Sequence, residues 1–174
     1  LFEKLGGSTA KFTWIGGEDK SSLVLGKGRP FFVKLQNPLK HSLKLTFFKS
    51  DSLKISNLKL VRESPKNPLK FNSSVQLKIS TSSDIDSKTL QKLQILKKNP
   101  VMVYDKSGKR SEKKIFFVKY KKNSKNAFTL SLKTEGGLPI RRFIDGDDVT
   151  PGISQILGTT CKCNEFDFSD IEVQ

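Results

Sequence analysis

The residues from Gly16 to Phe31, reading GGEDKSSLVLGKGRPF, limit the folds open to this chain more than any other stretch. They open on a Gly-Gly-Glu-Asp turn and run through a few apolar residues. A second glycine turn follows at Gly26, Lys27 and Gly28, and Arg29-Pro30-Phe31 leads out. Two glycine turns around a few strand-like residues make a compact loop-strand-loop. Such a loop presents one acidic side chain, Asp19, at a fixed place. The surroundings are strongly basic, so the acid needs a reason: a surface selected only to hold phosphates would select against it.

The basic character is a property of the whole chain. Among 174 residues there are 32 Lys and Arg against 17 Asp and Glu, a formal charge of +15. That balance favours a polyanionic partner, nucleic acid first and an acidic membrane surface second. Lysines spread along the whole length also suit an ordinary solvated surface. The length is enough for one domain with one core, to which 13 phenylalanines contribute. No apolar run is long enough to span a membrane. The start at Leu1, with neither signal nor methionine, is the start expected of a fragment.

Two cysteines, Cys161 and Cys163, share one face of an expected strand. No second Cys or His pair completes a zinc site, and His41 is the only histidine. Reduced thiols in an intracellular protein account for the pair. Metal binding is not expected of them.

Strands are expected at 11–15, 31–36, 53–62, 69–80, 101–104 and 160–168, with 42–48 a strand or a short helix. Residues 114–121 and 127–133 read as an antiparallel pair turning at Asn123-Ser124. A basic loop fills 105–114. Ser82 to Asp84 offers caps for a helix through Leu96, with Leu90, Leu93 and Leu96 on one stripe. Ile140 to Ile144 is a short helix or strand, and Ser154 to Leu157 one helical turn stopped by Gly158. Many strands and few helices, not in β-α-β order, indicate an α+β fold with a mixed, mainly antiparallel sheet.

The opening block resembles the G-R-E-D-x-D-x-R-x-L-G-x-G-R-P-F signature of the archaeal and eukaryotic pseudouridine synthase family that modifies the T-arm of transfer RNA. Gly16, Glu18, Asp19, Leu25, Gly26, Gly28, Arg29, Pro30 and Phe31 match without a gap. Gly17, Ser21 and Leu23 stand where the family has Arg, Asp and Arg. Leu69-Lys70-Phe71-Asn72-Ser73 aligns with the family's Lys-x-Tyr-x-Ala element, Phe71 keeping the ring and losing the hydroxyl. Gly136 to Asp147, GGLPIRRFIDGD, aligns with a Gly-Gly motif followed by Gly-Asp. Gly136, Gly137, Leu138, Ile140, Arg141, Gly146 and Asp147 match, Arg141 falling at the family's Lys or Arg, while Pro139 stands where the family has Tyr and Arg142 where it has Glu. Ser154 to Gly158, SQILG, is similar to the family's S-E-I-L-G.

The resemblance implies a partial pseudouridine synthase fold: residues 1–174 as one domain, the C-terminal part of the catalytic domain, with the amino-terminal RNA-binding module absent from this chain. It implies an isomerase that converts uridine to pseudouridine in the T-arm, acting on tRNA in the nucleus or cytoplasm, with neither a metal nor an organic cofactor. Asp19 would be the nucleophile and Phe71 the ring that stacks on the target base. Arg141 would be the cation beside Asp19 that keeps it ionised. Lys27, Arg29, Lys70 and Arg142 would contact the RNA. Two other readings fit the charge: a relative that binds RNA without turnover, favoured by Gly17, Ser21 and Pro139, and a basic ribosome-associated β-protein.

Overall fold

A computed structural model describes residues 6–16, 22–42, 44, 46–61, 63 and 69–174. They divide into two compact units, Leu1–Trp14 with Phe31–Leu69, and Ile15–Pro30 with Lys70–Gln174.

In the first unit, β1 (Thr9–Trp14) pairs antiparallel with β2 (Phe31–Gln36), Trp14 lying opposite Phe31. A second ribbon joins β3 (Phe47–Lys49) to β4 (Lys54–Ser56). The strands expected over 42–48 and 53–62 are therefore short. Most of their apolar residues are exposed, Leu53, Leu60 and Val61 among them, so no packing surface extends the pairing.

The second unit is built on a four-stranded antiparallel sheet, in the order β11 (Cys161–Val173), β5 (Phe71–Thr81), β9 (Ala127–Glu135), β8 (Ile115–Ser124). Alternation places Val75, Leu77 and Ile79 of β5 on one buried face with Phe128, Leu130 and Leu132 of β9. Each such side chain contributes about 1.5–3 kcal/mol when fully buried. The β8–β9 pair forms as expected, but the turn falls at Lys125-Asn126 because Ser124 already pairs with Ala127.

Helices cover that face. The expected helix from Ser82 is instead a short α1 (Ser87–Gln91), capped by the Asp86 carboxylate on the Thr89 N–H at 2.7 Å. It runs into a 3-10 helix, Lys92–Lys97. Leu90, Leu93 and Leu96 are buried, and their spacing of three is the 3-10 period rather than the α period. Ile140–Asp145 is helical (α2), as is Ile153–Leu157 (α3), which Gly158 ends. Beside them β6 (Val101–Tyr104) is flanked by β10 (Val149–Thr150) and β7 (Arg110–Lys113). Part of the expected 105–114 loop is thus strand β7; Asp105 accepts from the Ser107 and Lys109 N–H groups and makes the turn itself. No helix among the described residues is long and apolar enough to cross a membrane.

The final strand is longer than expected, reaching Val173, because two bulges keep it on β5 after Cys163 and after Phe168. Cys161 and Cys163 are both buried on it. Every strand pair is antiparallel among the described residues; the isolated bridge from Val24 to Phe168 is parallel.

Candidate active site

Strand β11 carries the site. The stretch after the acidic turn lies along it: the Leu25 N–H donates to the Phe168 carbonyl at 2.7 Å, and the Phe168 N–H to that of Leu23 at 2.9 Å. The Leu23 N–H also donates to the Asp167 carboxylate at 2.9 Å. Leu23 stands where the family signature has Arg, and it is exposed, so its place is held through its backbone.

The approach to the turn is held by Arg29. Its Nε donates to the Ile15 carbonyl at 3.2 Å, and its Nη2 to the Gly16 carbonyl. The Ile15 N–H donates to the Pro30 carbonyl at 3.1 Å, closing the two ends of the loop on each other. Gly16 rests on β11, where an added Cβ would come within 2.8 Å of Ile171 Cδ1. Asp19 itself, with Gly17, Glu18, Lys20 and Ser21, lies outside the described residues.

Arg141 is on the first turn of α2. Its Nη1 donates to the Cys163 carbonyl at 3.2 Å, and its guanidinium lies 5.6 Å from the centre of the Phe166 ring. That ring meets Phe168 edge-on at 5.8 Å, so the cation sits one aromatic contact from the residue that pairs with Leu23 and Leu25. The Asp145 carboxyl is raised above its ordinary range by burial and then by Asp147, and Arg141 draws it partly back.

Phe71 begins β5, opposite Val173 and half-buried. It projects to the same face as Leu77, which pairs with Phe166. From Phe71 to Leu77 is roughly 20 Å along the strand. Arg141 and Phe71 thus occupy two levels of one face and are not neighbours. Gly16 at Ile171 and Leu23 at Phe168 stand on β11 between those levels. One side of the Phe71 ring lies on Gly136, whose N–H donates to the Phe71 carbonyl at 2.7 Å.

The remaining basic residues differ in what they hold. Arg142 Nη2 donates to the Tyr104 carbonyl at 2.7 Å and to Asp148 Oδ2 at 2.9 Å, and its Nε to the Asp147 carbonyl at 3.3 Å. Like Arg29, it is engaged with backbone. Lys27 and Lys70 are exposed. Lys27 reaches the field of Glu172, whose carboxyl Lys133 holds below its usual range first.

Sequence reasoning did not single out Phe166 as the seat of Arg141, or Gly136 as the seat of Phe71. The only signal for Phe166 was its alternation with charged residues in Glu165-Phe166-Asp167-Phe168. For Gly136 it was a paired glycine directly after a strand.

The profile of the family described as "Pus10, C-terminal" matches residues 1–172. The chain is 64% identical over 174 residues to the tRNA pseudouridine synthase Pus10 of Nitrosopumilus maritimus (strain SCM1), covering 100% of this chain and 46% of that protein. It is 36% identical over 166 residues to the protein of the same name from Cenarchaeum symbiosum (strain A), covering 95% and 41%. The chain thus spans about half the length of the curated relatives it matches. Both are archaeal, which leaves the expected nuclear location without support. Among solved structures, "Crystal Structure of a Cbf5-Nop10-Gar1 Complex" matches with a TM-score of 0.47 at 12% identity, covering 57% of this chain and 30% of that one. Matched over nearly its whole length, the chain belongs to the Pus10, C-terminal family.

Proposed function

We propose that this chain carries the catalytic face of an enzyme that isomerises uridine to pseudouridine in the T-arm of tRNA, in the cytoplasm. One observation supports this most: the two flanks of the Asp19 turn are pinned to β11 between the level of Arg141 and the level of Phe71. Residues 17–21, Asp19 among them, join those two flanks in the sequence and lie outside the described residues.

In this reading the reaction exchanges the C1′–N1 bond of the uridine for a C1′–C5 bond. N1 gains a hydrogen and C5 loses one, so neither oxidant nor reductant is consumed. Asp19 acts as the nucleophile while the glycosidic bond breaks, and the freed uracil turns and rejoins through carbon. A base changed this way must leave its stack, and the Phe71 ring offers it a flat surface. Arg141 keeps the Asp19 carboxylate ionised and oriented. Lys27 and Lys70 meet phosphates, while Arg29 and Arg142 hold the loops that carry the site.

The test is mass mapping of pseudouridine in tRNA treated with the full-length protein. Asp19→Asn should abolish the product and leave RNA affinity intact or slightly raised, since a negative charge is removed. Arg141→Ala should lower the rate more than the affinity, because the pair orients the nucleophile. Affinity should fall by orders of magnitude between low and moderate salt. A fully active Asp19→Asn variant refutes the assigned nucleophile. A wild type that binds tRNA and never modifies it leaves a binding protein.

A further inference from the structure

The β1–β2 ribbon has two faces of different chemistry. Residues directly opposite each other project to one side. Ala10 faces Leu35, Phe12 faces Val33 and Trp14 faces Phe31, so one side is wholly apolar. On the other side Lys11 lies opposite Lys34. Like charges in that register repel, and an anion relieves them.

The aromatic end of the apolar side is open to solvent: Phe12 is 53% and Trp14 51% exposed. Their rings are nearly parallel, 17° apart, with centres 6.2 Å apart. Phe31 backs Trp14 at 5.1 Å.

Charge decides which flat ligand this suits. The unit holding the ribbon, 1–14 with 31–69, has ten Lys and Arg against three Asp and Glu. Unpaired RNA supplies a flat base for the rings and an anionic backbone for the lysines in one molecule. A protein partner would have to combine an apolar contact for the rings with acidic groups for the basic unit.

We propose that the exposed Phe12 and Trp14 rings receive one unpaired nucleobase of the RNA, with Phe31 as their support, while Lys11 and Lys34 on the opposite face of the ribbon meet phosphates of the same strand away from that base. The role rests on the reading of this protein as an RNA-modifying enzyme, but not on the nucleophile. It adds a binding point on a unit that does not contain residues 15–30.

The experiment measures binding of short oligoadenylate to the full-length protein by fluorescence anisotropy. This probe contains no uridine, so binding cannot depend on isomerisation. The Phe12→Leu/Trp14→Leu double variant keeps apolar area and removes both rings. Affinity should fall about 5- to 100-fold, with the salt slope unchanged. Phe12→Tyr keeps a π face and should bind as the wild type does. Lys11→Ala/Lys34→Ala should lower the salt slope. The proposal is overturned if the leucine variant stays within about twofold of wild type, since losing a base stack costs more than that. It is also overturned if the tyrosine variant loses as much as the leucine variant, or if the leucine variant changes only the oligomeric mass. Oligoadenylate binding that depends on these rings, in a wild type that makes no pseudouridine, upholds the proposal and sinks the isomerase reading alone.

Discussion

Replacing Gly136 by alanine isolates the contact that fixes Phe71. An added Cβ would lie 2.4, 2.4 and 2.5 Å from the Cε2, Cζ and Cε1 atoms of the ring. Carbon atoms prefer about 3.5–4.0 Å, so the ring or the Gly136 backbone must retreat by roughly 1 Å or more. Neither moves easily. The Gly136 N–H is bonded to the Phe71 carbonyl at 2.7 Å, and the next residue pair, Asn72 with Glu135, is in sheet register. Relief must come from an off-rotamer ring at about 0.5–1.5 kcal/mol, or from local overpacking at about 1–3 kcal/mol. For a chain of this size each kcal/mol is about 2–4 °C, so Tm should fall by roughly 1–12 °C. Thermal melts of Gly136→Ala, Phe71→Ala and the double variant form a cycle. With the ring removed, alanine at 136 should cost less than about 0.5 kcal/mol, and the coupling should recover nearly the whole penalty. An equal cost of Gly136→Ala in both backgrounds would show that the ring is not the obstacle and that the contact argument is wrong. If Phe71 also serves as the base platform, Gly136→Ala should weaken tRNA modification while the sheet remains folded.

The other predictions concern charge. Arg29→Ala and Arg142→Ala should each lower stability by roughly 1–3 kcal/mol, since each strands carbonyls bonded to a cation, and leave the salt dependence of tRNA binding unchanged; Lys27→Ala/Lys70→Ala should do the reverse. Filter binding across a salt series, alongside urea melts, separates the two patterns. Asp145→Asn should stabilise the protein at neutral pH. The folded carboxyl titrates above its ordinary value near 3.8, so the native state holds its proton longer than the unfolded chain. Its cost is absent below the unfolded value, grows as pH rises through the folded one, and is complete above it. Melts should therefore show a gain for Asn at pH 7 that vanishes in acid; a gain equal at both would refute the burial argument.

What the sequence determined by itself is what short range physics decides. Alternation in Val75, Leu77 and Ile79 set a strand and its buried face, since strand periodicity needs only neighbours along the chain. Gly158 stopped α3, and Phe31 to Gln36 formed a strand, for equally local reasons. The family was legible for a different cause: GGED to GRPF preserves residues at fixed spacing. The rest depended on contacts between distant residues. Leu90 stays in α1, but Leu93 and Leu96 lie in a 3-10 helix because that spacing keeps all three buried, where burial outweighs the better hydrogen bonds of an α-helix. Arg29 was legible as a cation, but its place on the Ile15 and Gly16 carbonyls follows from the loop closing on itself. The tertiary structure alone decided that Val24 runs beside Phe168, that Arg141 rests on Phe166, and that Phe71 lies on Gly136 at another level of the same face. Each is a contact between residues separated by tens of positions, and a linear pattern carries no record of which surfaces will meet.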